Sequence, residues 1–528
     1  MAAAKNSRGD DMVQITQFLR RAVQTRPDGI ASECEGRIRT WREFEARAAA
    51  LAGALAGLGY LAGDRIGMLA LNCDRYLEYF FATAWGGFVF VPINTRLAAP
   101  EVAFWLQDSG CSALFIDDTF LPMLKDVRAE LRHVIRVGDG GAPEGFLAYE
   151  DLIADGAPIA DACKRGDDLA GIFYTGGTTG RSKGVMLSHR NIVANAMLCA
   201  TQFGLGADVV YLHAGPMFHL ADGASTFLVT AMGGKHVFMP RFEPGALLGT
   251  VARFRVSATL LVPTMINMVV HHPDVEATDT SSLRFVLYGA SPMPEAVIRR
   301  AFHVLPHTGF MQAYGQSEAA PCMTFLPPAE HATEGPNAAY LKSAGRAALG
   351  CEVRINDEND DEAPRGVVGE ICGRGDNVML GYWRQPETTA NTLRNGWLHT
   401  GDGGYMDADG YVYVVDRMKD MIISGGENVY SAEVEQALYQ HPAVAECAVI
   451  GVPDPHWGER VHAVVRLKAG TSPTAEAIIA HCQTLIAHYK CPREVAFRAE
   501  PLPLSGAGKI LKTELRKPYW EGRERRVN

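Results

Sequence analysis

Short apolar segments that alternate with helical ones constrain this chain more than any other feature. Asp64–Ala70, Phe88–Val91, Ala113–Ile116, Gly234–Met239, Ala258–Val262 and Leu283–Tyr288 read as strands with helical patterns between them. Strands this short and apolar suit burial on both faces, so the alternation predicts layered α/β architecture with largely parallel sheets. Thr40-Trp41-Arg42-Glu43 is a capping box that opens an alanine-rich helix ending near Gly57 and Gly59. Asn72 is expected to cap a second helix, which stops at Gly86-Gly87.

The texture changes after about Ser343. Val353–Ile355, Gly369–Cys372 and Gly410–Val415 are closely spaced strands, and a β-barrel-like subdomain is expected there. The acidic run Asp357–Glu362 reads as a solvated hairpin tip. A calcium loop fits it less well, because no glycine sits inside the run. A second change follows Asp416-Arg417-Met418-Lys419-Asp420. From there a small α+β domain is expected, with a helix over Ser431–Gln440, strands at Cys447–Ile450 and Val461–Leu467, a helix over Thr474–Tyr489 and a basic loop Ser505–Lys509. The expected division is a disordered N-terminus over 1–12, a large domain over 13–417 and a small domain over 418–528.

Bulk properties exclude several classes. Among 528 residues, 47% are apolar and 21% charged, as in ordinary globular proteins. A net charge of −10 argues against nucleic-acid binding, which favours basic surfaces. The 11 cysteines form no C-x-x-C pair, so reduced thiols are expected rather than a disulfide framework or a zinc site. With no apolar leader, no membrane-span-length run and no C-terminal address signal, a cytoplasmic location is expected.

The segment Tyr174-Thr175-Gly176-Gly177-Thr178-Thr179-Gly180-Arg181-Ser182-Lys183-Gly184 carries the clearest chemistry. Glycines let backbone N–H groups turn inward, hydroxyls add donors, and Arg181 and Lys183 add charge, which together can wrap a polyphosphate. The segment does not match G-x-x-x-x-G-K-[ST], so an ordinary P-loop is excluded. A flexible surface turn is the plainer alternative.

Further motifs follow in order: Gln312-Ala313-Tyr314-Gly315-Gln316-Ser317-Glu318, Trp397-Leu398-His399-Thr400-Gly401-Asp402, Asp416–Asp420, Ser424-Gly425-Gly426-Glu427-Asn428, and Gly506-Ala507-Gly508-Lys509-Ile510-Leu511-Lys512. As an ordered set they resemble the adenylate-forming superfamily, in particular its acyl-CoA synthetases and fatty-acid or aryl-CoA ligases. The resemblance runs from about Phe18 to Arg516. It implies an ATP-dependent enzyme that converts a carboxylic acid to acyl-AMP, releases pyrophosphate, and transfers the acyl group to coenzyme A. A stand-alone enzyme loading a carrier-protein thiol is the alternative. A nucleotide-binding scaffold is a third class, which the joint presence of Lys183, Glu318, Asp402, Arg417 and Lys509 disfavours.

By the same resemblance, Thr175, Gly176, Gly177, Thr178, Thr179, Gly180 and Lys183 cradle phosphates. Gly289, Ala290, Ser291, Gln312, Ala313, Tyr314 and Gly315 border adenine and the acid, with Tyr314 stacked on the base. Ser317 replaces the threonine usual in the family and keeps its hydroxyl. Glu318 would hold Mg²⁺, Asp402 the ribose, and Arg417 the ribose and phosphate. Lys509 would be the catalytic cation, carried by a mobile small domain that pivots at Lys419, with Gly425 and Gly426 serving the pantetheine arm. The resemblance leaves room for a homodimer. His219, Leu220, Gly223, Thr264, Gly315 and Ala320 are the acyl-pocket candidates, joined by Ala224 and Pro321. Plainer readings stand beside these: a core histidine at His219, a tight turn at Gly425-Gly426, and a surface pair at His271-His272 rather than zinc ligands. Most of these candidates are small or apolar and none is a convincing partner for an ammonium group, and the nearby Asp222 reads equally as a solvated or helical residue, so an apolar acid is favoured over an amino acid.

Overall fold

The computed structural model describes residues 13–127, 129–175, 182–291, 293–417, 420–424, 427–505 and 510–521. The chain forms a large N-terminal α/β domain and a small C-terminal one, and its described residues build four sheets. A nine-stranded sheet has parallel strands from Gly309–Gly315 across to Ile30–Cys34, and antiparallel strands close both edges. An eight-stranded sheet is parallel from Leu169–Thr175 to Leu147–Ala148, and Lys183–Ser188 and Gly381–Tyr382 are added antiparallel at one edge. A five-stranded antiparallel sheet spans Cys351–Arg417, and a mixed five-stranded sheet starts at Ile422.

The helix Asp74–Trp85 shows why the large domain holds together. Every one of its residues is buried. A helix that is apolar around most of its circumference must be covered on all sides. Phe80 meets Phe90 of one sheet at 5.1 Å between ring centroids and Phe227 at 5.5 Å, edge-on. The charged residues in this helix are paired: Glu78 with Arg47 at 2.6 Å, Arg75 with Glu150 at 2.7 Å, and Asp74 with Arg37 at 3.1 Å. Removing one partner would strand a buried charge.

The capping box forms as read: Thr40 accepts from the Glu43 N–H and Glu43 reaches back to the Thr40 N–H. Asn72 does not cap the next helix. Its amide donates to the carbonyls of His213 and Gly215, and its oxygen accepts from the Met217 N–H, so it ties a distant loop instead. The Thr474–Tyr489 helix is shorter than expected, Ala475–Gln483, with Thr474 as its cap. The acidic run does turn between two paired strands, but Asp360 is not merely solvated. It accepts from Asn356 and Asn395 and faces His399 at 3.3 Å. The eleven cysteines are free thiols, and no helix among the described residues is long and apolar enough to cross a membrane.

Three buried histidines make stability pH-dependent. Burial pushes His189 and His331 down to about 4, and holds His236, beside His213, well below its ordinary value. The unfolded chain takes up these protons near pH 6.5, whereas the native protein does not. Stability is therefore full above 6.5 and falls as the pH drops towards 4, by about 1.4 kcal/mol per unit for each histidine. Denaturant titrations at pH 7.5 and 5.5 should show a lower midpoint at 5.5. Equal midpoints would refute the assignment.

Candidate active site

The glycine-rich segment joins two antiparallel strands, and Thr175 and Lys183 face each other across the mouth of the hairpin. Among the described residues, no helix starts beside this loop. The next helix, His189–Phe203, begins after the second strand and is capped by Ser188. A phosphate at the described mouth of this hairpin would draw on Lys183 and backbone donors rather than on the N-terminus of the following helix. Gly176, Gly177, Thr178, Thr179, Gly180 and Arg181 lie outside the described residues.

Lys183 Nζ sits 4.9 Å from the centre of the Tyr382 ring. The Tyr382 hydroxyl donates to Glu318 Oε1 at 2.7 Å. Tyr382 is held by pairing of Gly381–Tyr382 with Val185–Met186, and Glu318 by the short turn Ser317–Ala319. A cation, a phenol and a buried carboxylate thus form one unit beside the hairpin. The hard oxygen donor of Glu318 fits a Mg²⁺ ion whose remaining ligands are phosphate oxygens and water.

Gly289 ends the strand Phe285–Gly289, where a Cβ would lie 2.2 Å from the Ala313 carbonyl oxygen; a Cβ on Gly315 would lie 2.0 Å from that of Pro321. Both positions require glycine because the backbones approach closely. Between them, the Tyr314 hydroxyl donates to Asp402 Oδ2 at 2.8 Å. Arg417 ends a strand and pairs in register with Asp402.

All these elements border one cavity of about 880 Å³, lined by Thr175, Lys183, Gly289, Ala290, Ala313, Tyr314, Gly315, Ser317 and Glu318. Its size suits a nucleotide together with a second small molecule. Asp402 does not line the wall but adjoins it through Tyr314; Ser291 and Gln312 are also off the wall. At the apolar end stand Phe218, His219, Leu220, Leu260, Val262, Leu287, Pro321 and Cys322. His219 also caps the helix Leu220–Met232, its Nδ1 accepting from the Ala221 N–H. Gly223, Thr264 and Ala320 do not line the cavity. Gly223 packs on the Met217 carbonyl, Thr264 lies in the first turn of the helix Pro263–Val270, and Ala320 is buried beyond the Ser317–Ala319 turn. Ala224 borders a void of only about 10 Å³ behind this wall.

Asp222 is committed elsewhere. It holds His213 at 2.8 Å and accepts from Tyr211, while His213 contacts His236 at 2.9 Å, all within the core. It therefore offers no free carboxylate to an ammonium group. Sequence reading missed Leu260, which ends the strand Ala258–Leu260, and Leu287, two residues before the end of Phe285–Gly289, although ligands bind α/β sheets at the C-terminal side of parallel strands. It also missed Tyr382 and Glu370. Glu370 contacts His399 at 2.8 Å and accepts from the Gly401 N–H at 2.9 Å, bracing the turn before Asp402. Cys372 lies 3.4 Å from the same histidine; burial together with Glu370 and Asp360 pushes its thiol up to about 12, so it stays protonated. His271 contacts the Asn267 carbonyl.

From the small domain, Leu504, Ser505, Ile510, Leu511, Lys512 and Thr513 reach the same cavity. Lys512 pairs with Glu435 at 2.8 Å and donates to Ser431, whose N–H and hydroxyl donate to Asp416. Lys509, Lys419, Gly425 and Gly426 lie outside the described residues, as do residues 1–12.

Comparison with known proteins bears on this site. Residues 19–383 match the family described as AMP-binding enzyme, and residues 433–509 its C-terminal domain. A feruloyl-CoA synthase from an Amycolatopsis species is 39% identical over 94% of this chain and 98% of its own. A fatty acid–[acyl-carrier-protein] ligase from Streptomyces coeruleorubidus is 35% identical over 98% of each. Among solved structures, an anthranilate CoA ligase in complex with anthranoyl-AMP superimposes with a TM-score of 0.87 at 28% identity, over 96% of this chain and 97% of that one.

Proposed function

Because the chain belongs to the AMP-binding enzyme family, we propose that it activates a fatty or aryl carboxylic acid as acyl-AMP and passes the acyl group to coenzyme A. A carboxylate is a poor electrophile, since its charge repels nucleophiles and oxide is a hopeless leaving group. In the first step a carboxylate oxygen attacks the α-phosphorus of ATP, the bond to the bridging oxygen breaks, and pyrophosphate leaves. In the second, the coenzyme A thiol attacks the carbonyl carbon, the carbon–oxygen bond breaks, and AMP leaves.

The observation that carries this reading is convergence. Thr175 and Lys183, the Tyr314–Asp402 pair, Glu318 and the flanks of the Lys509 loop all meet at one cavity with an apolar end. Thr175 through Gly180 with Lys183 take the β- and γ-phosphates, and Ser317 adds a hydroxyl. Tyr314 covers adenine beside Gly289 and Ala290, and Asp402 with Arg417 holds the ribose. Glu318 holds Mg²⁺, which supplies charge neutralisation on the phosphates when bound. Lys509 steadies the charge on the transferring phosphoryl group. Rotation of the small domain at Lys419 then withdraws Lys509 and brings Gly425 and Gly426 to the thiol's approach.

A panel of aliphatic and aryl acids, offered with ATP, Mg²⁺ and coenzyme A and read by mass spectrometry, should give AMP, pyrophosphate and the matching thioester. Amino acids should give none, because the apolar end offers no free carboxylate from Asp222. ADP as product, or no thioester from any acid, would refute the assignment.

A further inference from the structure

Arg96 lies in the turn after the strand Val89–Pro92, and its guanidinium Nη1 donates to the carbonyl of Ser505 at 2.7 Å. Ser505 belongs to the small domain and immediately precedes residues 506–509. The contact therefore joins the large domain to the entrance of the loop that carries Lys509. Both ends of this loop are anchored. Leu504 and Ile510 form an antiparallel bridge, the Leu511 N–H donates to the Pro503 carbonyl at 2.8 Å, and Lys512 is fixed by Glu435 and Ser431.

The Arg96 side is equally fixed. The Arg96 N–H donates to Asn94 Oδ1 at 2.9 Å, setting the turn. The next helix, Ala99–Ser109, places Trp105 on Tyr174 at 4.8 Å between ring centres, and its Asp108 accepts from the Tyr174 hydroxyl. Tyr174 directly precedes Thr175. Arg96 thus stands on the same rigid support as the phosphate hairpin, and Arg96, Ser505, Thr175 and Lys183 line one cavity.

From this geometry we propose that Arg96 is a positioning residue for acyl-AMP formation: it grips the Ser505 carbonyl and so fixes the point at which the Lys509 segment leaves the small domain, and it releases that carbonyl before the thiol step. The proposal rests on the two-step ligase reading above. A guanidinium–carbonyl hydrogen bond suits this use, because it is directional when made and costs little to break where water can replace it. Loss of the grip misplaces Lys509 without removing it, and small misplacements of a catalytic group cost up to about 100-fold in rate.

The test uses the full-length protein with the best acid of the panel. Acid-dependent ATP–pyrophosphate exchange reads the first step, and thioester formation from supplied acyl-AMP and coenzyme A reads the second. Arg96→Ala should lower the exchange kcat by about 10- to 100-fold, leave KM for ATP within about twofold, and leave the second step near the wild-type rate. Arg96→Lys, which keeps one donor, should recover part of the loss. A raised KM for ATP at unchanged kcat would overturn the proposal by making Arg96 a phosphate ligand, and equal loss in both steps would overturn it as a folding defect. A wild-type protein without exchange activity on any acid would instead refute the ligase reading itself.

Discussion

Replacing Lys509 by alanine is expected to lower acyl-AMP formation by about two to three orders of magnitude, while thioester formation from supplied acyl-AMP stays within a few-fold of wild type. The size follows from the loss of one preorganised charge aimed at a developing anion, and such groups contribute about 10²–10³ in rate. The asymmetry follows from the chemistry. The first step builds negative charge where a carboxylate meets a phosphate, whereas the second expels AMP, already a good leaving group. Ser505 and Ile510, the described residues on either side of the Lys509 segment, reach the cavity that Thr175 and Lys183 line. Lys419→Pro should give the reverse pattern, since a proline at the pivot restricts the rotation that the second step requires. Rapid-quench measurement of each half-reaction checks both. Equal loss of the two half-reactions in Lys509→Ala would defeat the division of labour.

Glu318→Gln should lower kcat/KM for ATP by about 100-fold and raise the Mg²⁺ concentration needed for half-maximal activity. Glutamine keeps the oxygen that accepts from Tyr382 at 2.7 Å, and with it the packing of the turn, but removes the charge. Tyr382→Phe is the matched control. It removes one hydrogen bond to the carboxylate and leaves the charge in place. Its effect should be about tenfold or less, with little change in Mg²⁺ dependence. If Glu318→Gln left the Mg²⁺ titration unmoved, the carboxylate would be a structural partner of Tyr382 rather than a metal ligand.

Sequence reading succeeded where the governing interactions are local. The Thr40–Glu43 cap, the buried strands and the α/β layering follow from patterns a few residues long. It failed where a side chain's partners lie far along the chain. Asn72 has the composition of a helix cap, yet its three hydrogen bonds reach residues 213, 215 and 217. The hairpin at Thr175 and Lys183 was not foreseen either, because the strand Lys183–Ser188 begins within the glycine-rich motif itself. Tyr382 and Arg96 carry no local signature at all. Each acquires its meaning from a contact across domains or sheets, with Glu318 in one case and Ser505 in the other. The acyl end was read only in part. Leu260 and Leu287 reach it from neighbouring parallel strands of the large sheet, whereas Gly223 packs against the Met217 carbonyl.

The route of one oxygen atom tests the central claim most directly. A substrate acid labelled with ¹⁸O in its carboxylate, turned over with ATP, Mg²⁺ and coenzyme A, should transfer one labelled oxygen to AMP and none to pyrophosphate. The attacking carboxylate oxygen becomes the bridge of the acyl-AMP and stays on phosphorus when the thiol takes the carbonyl carbon. Unlabelled AMP, or label appearing in inorganic phosphate beside ADP, would contradict an adenylate intermediate in this cavity.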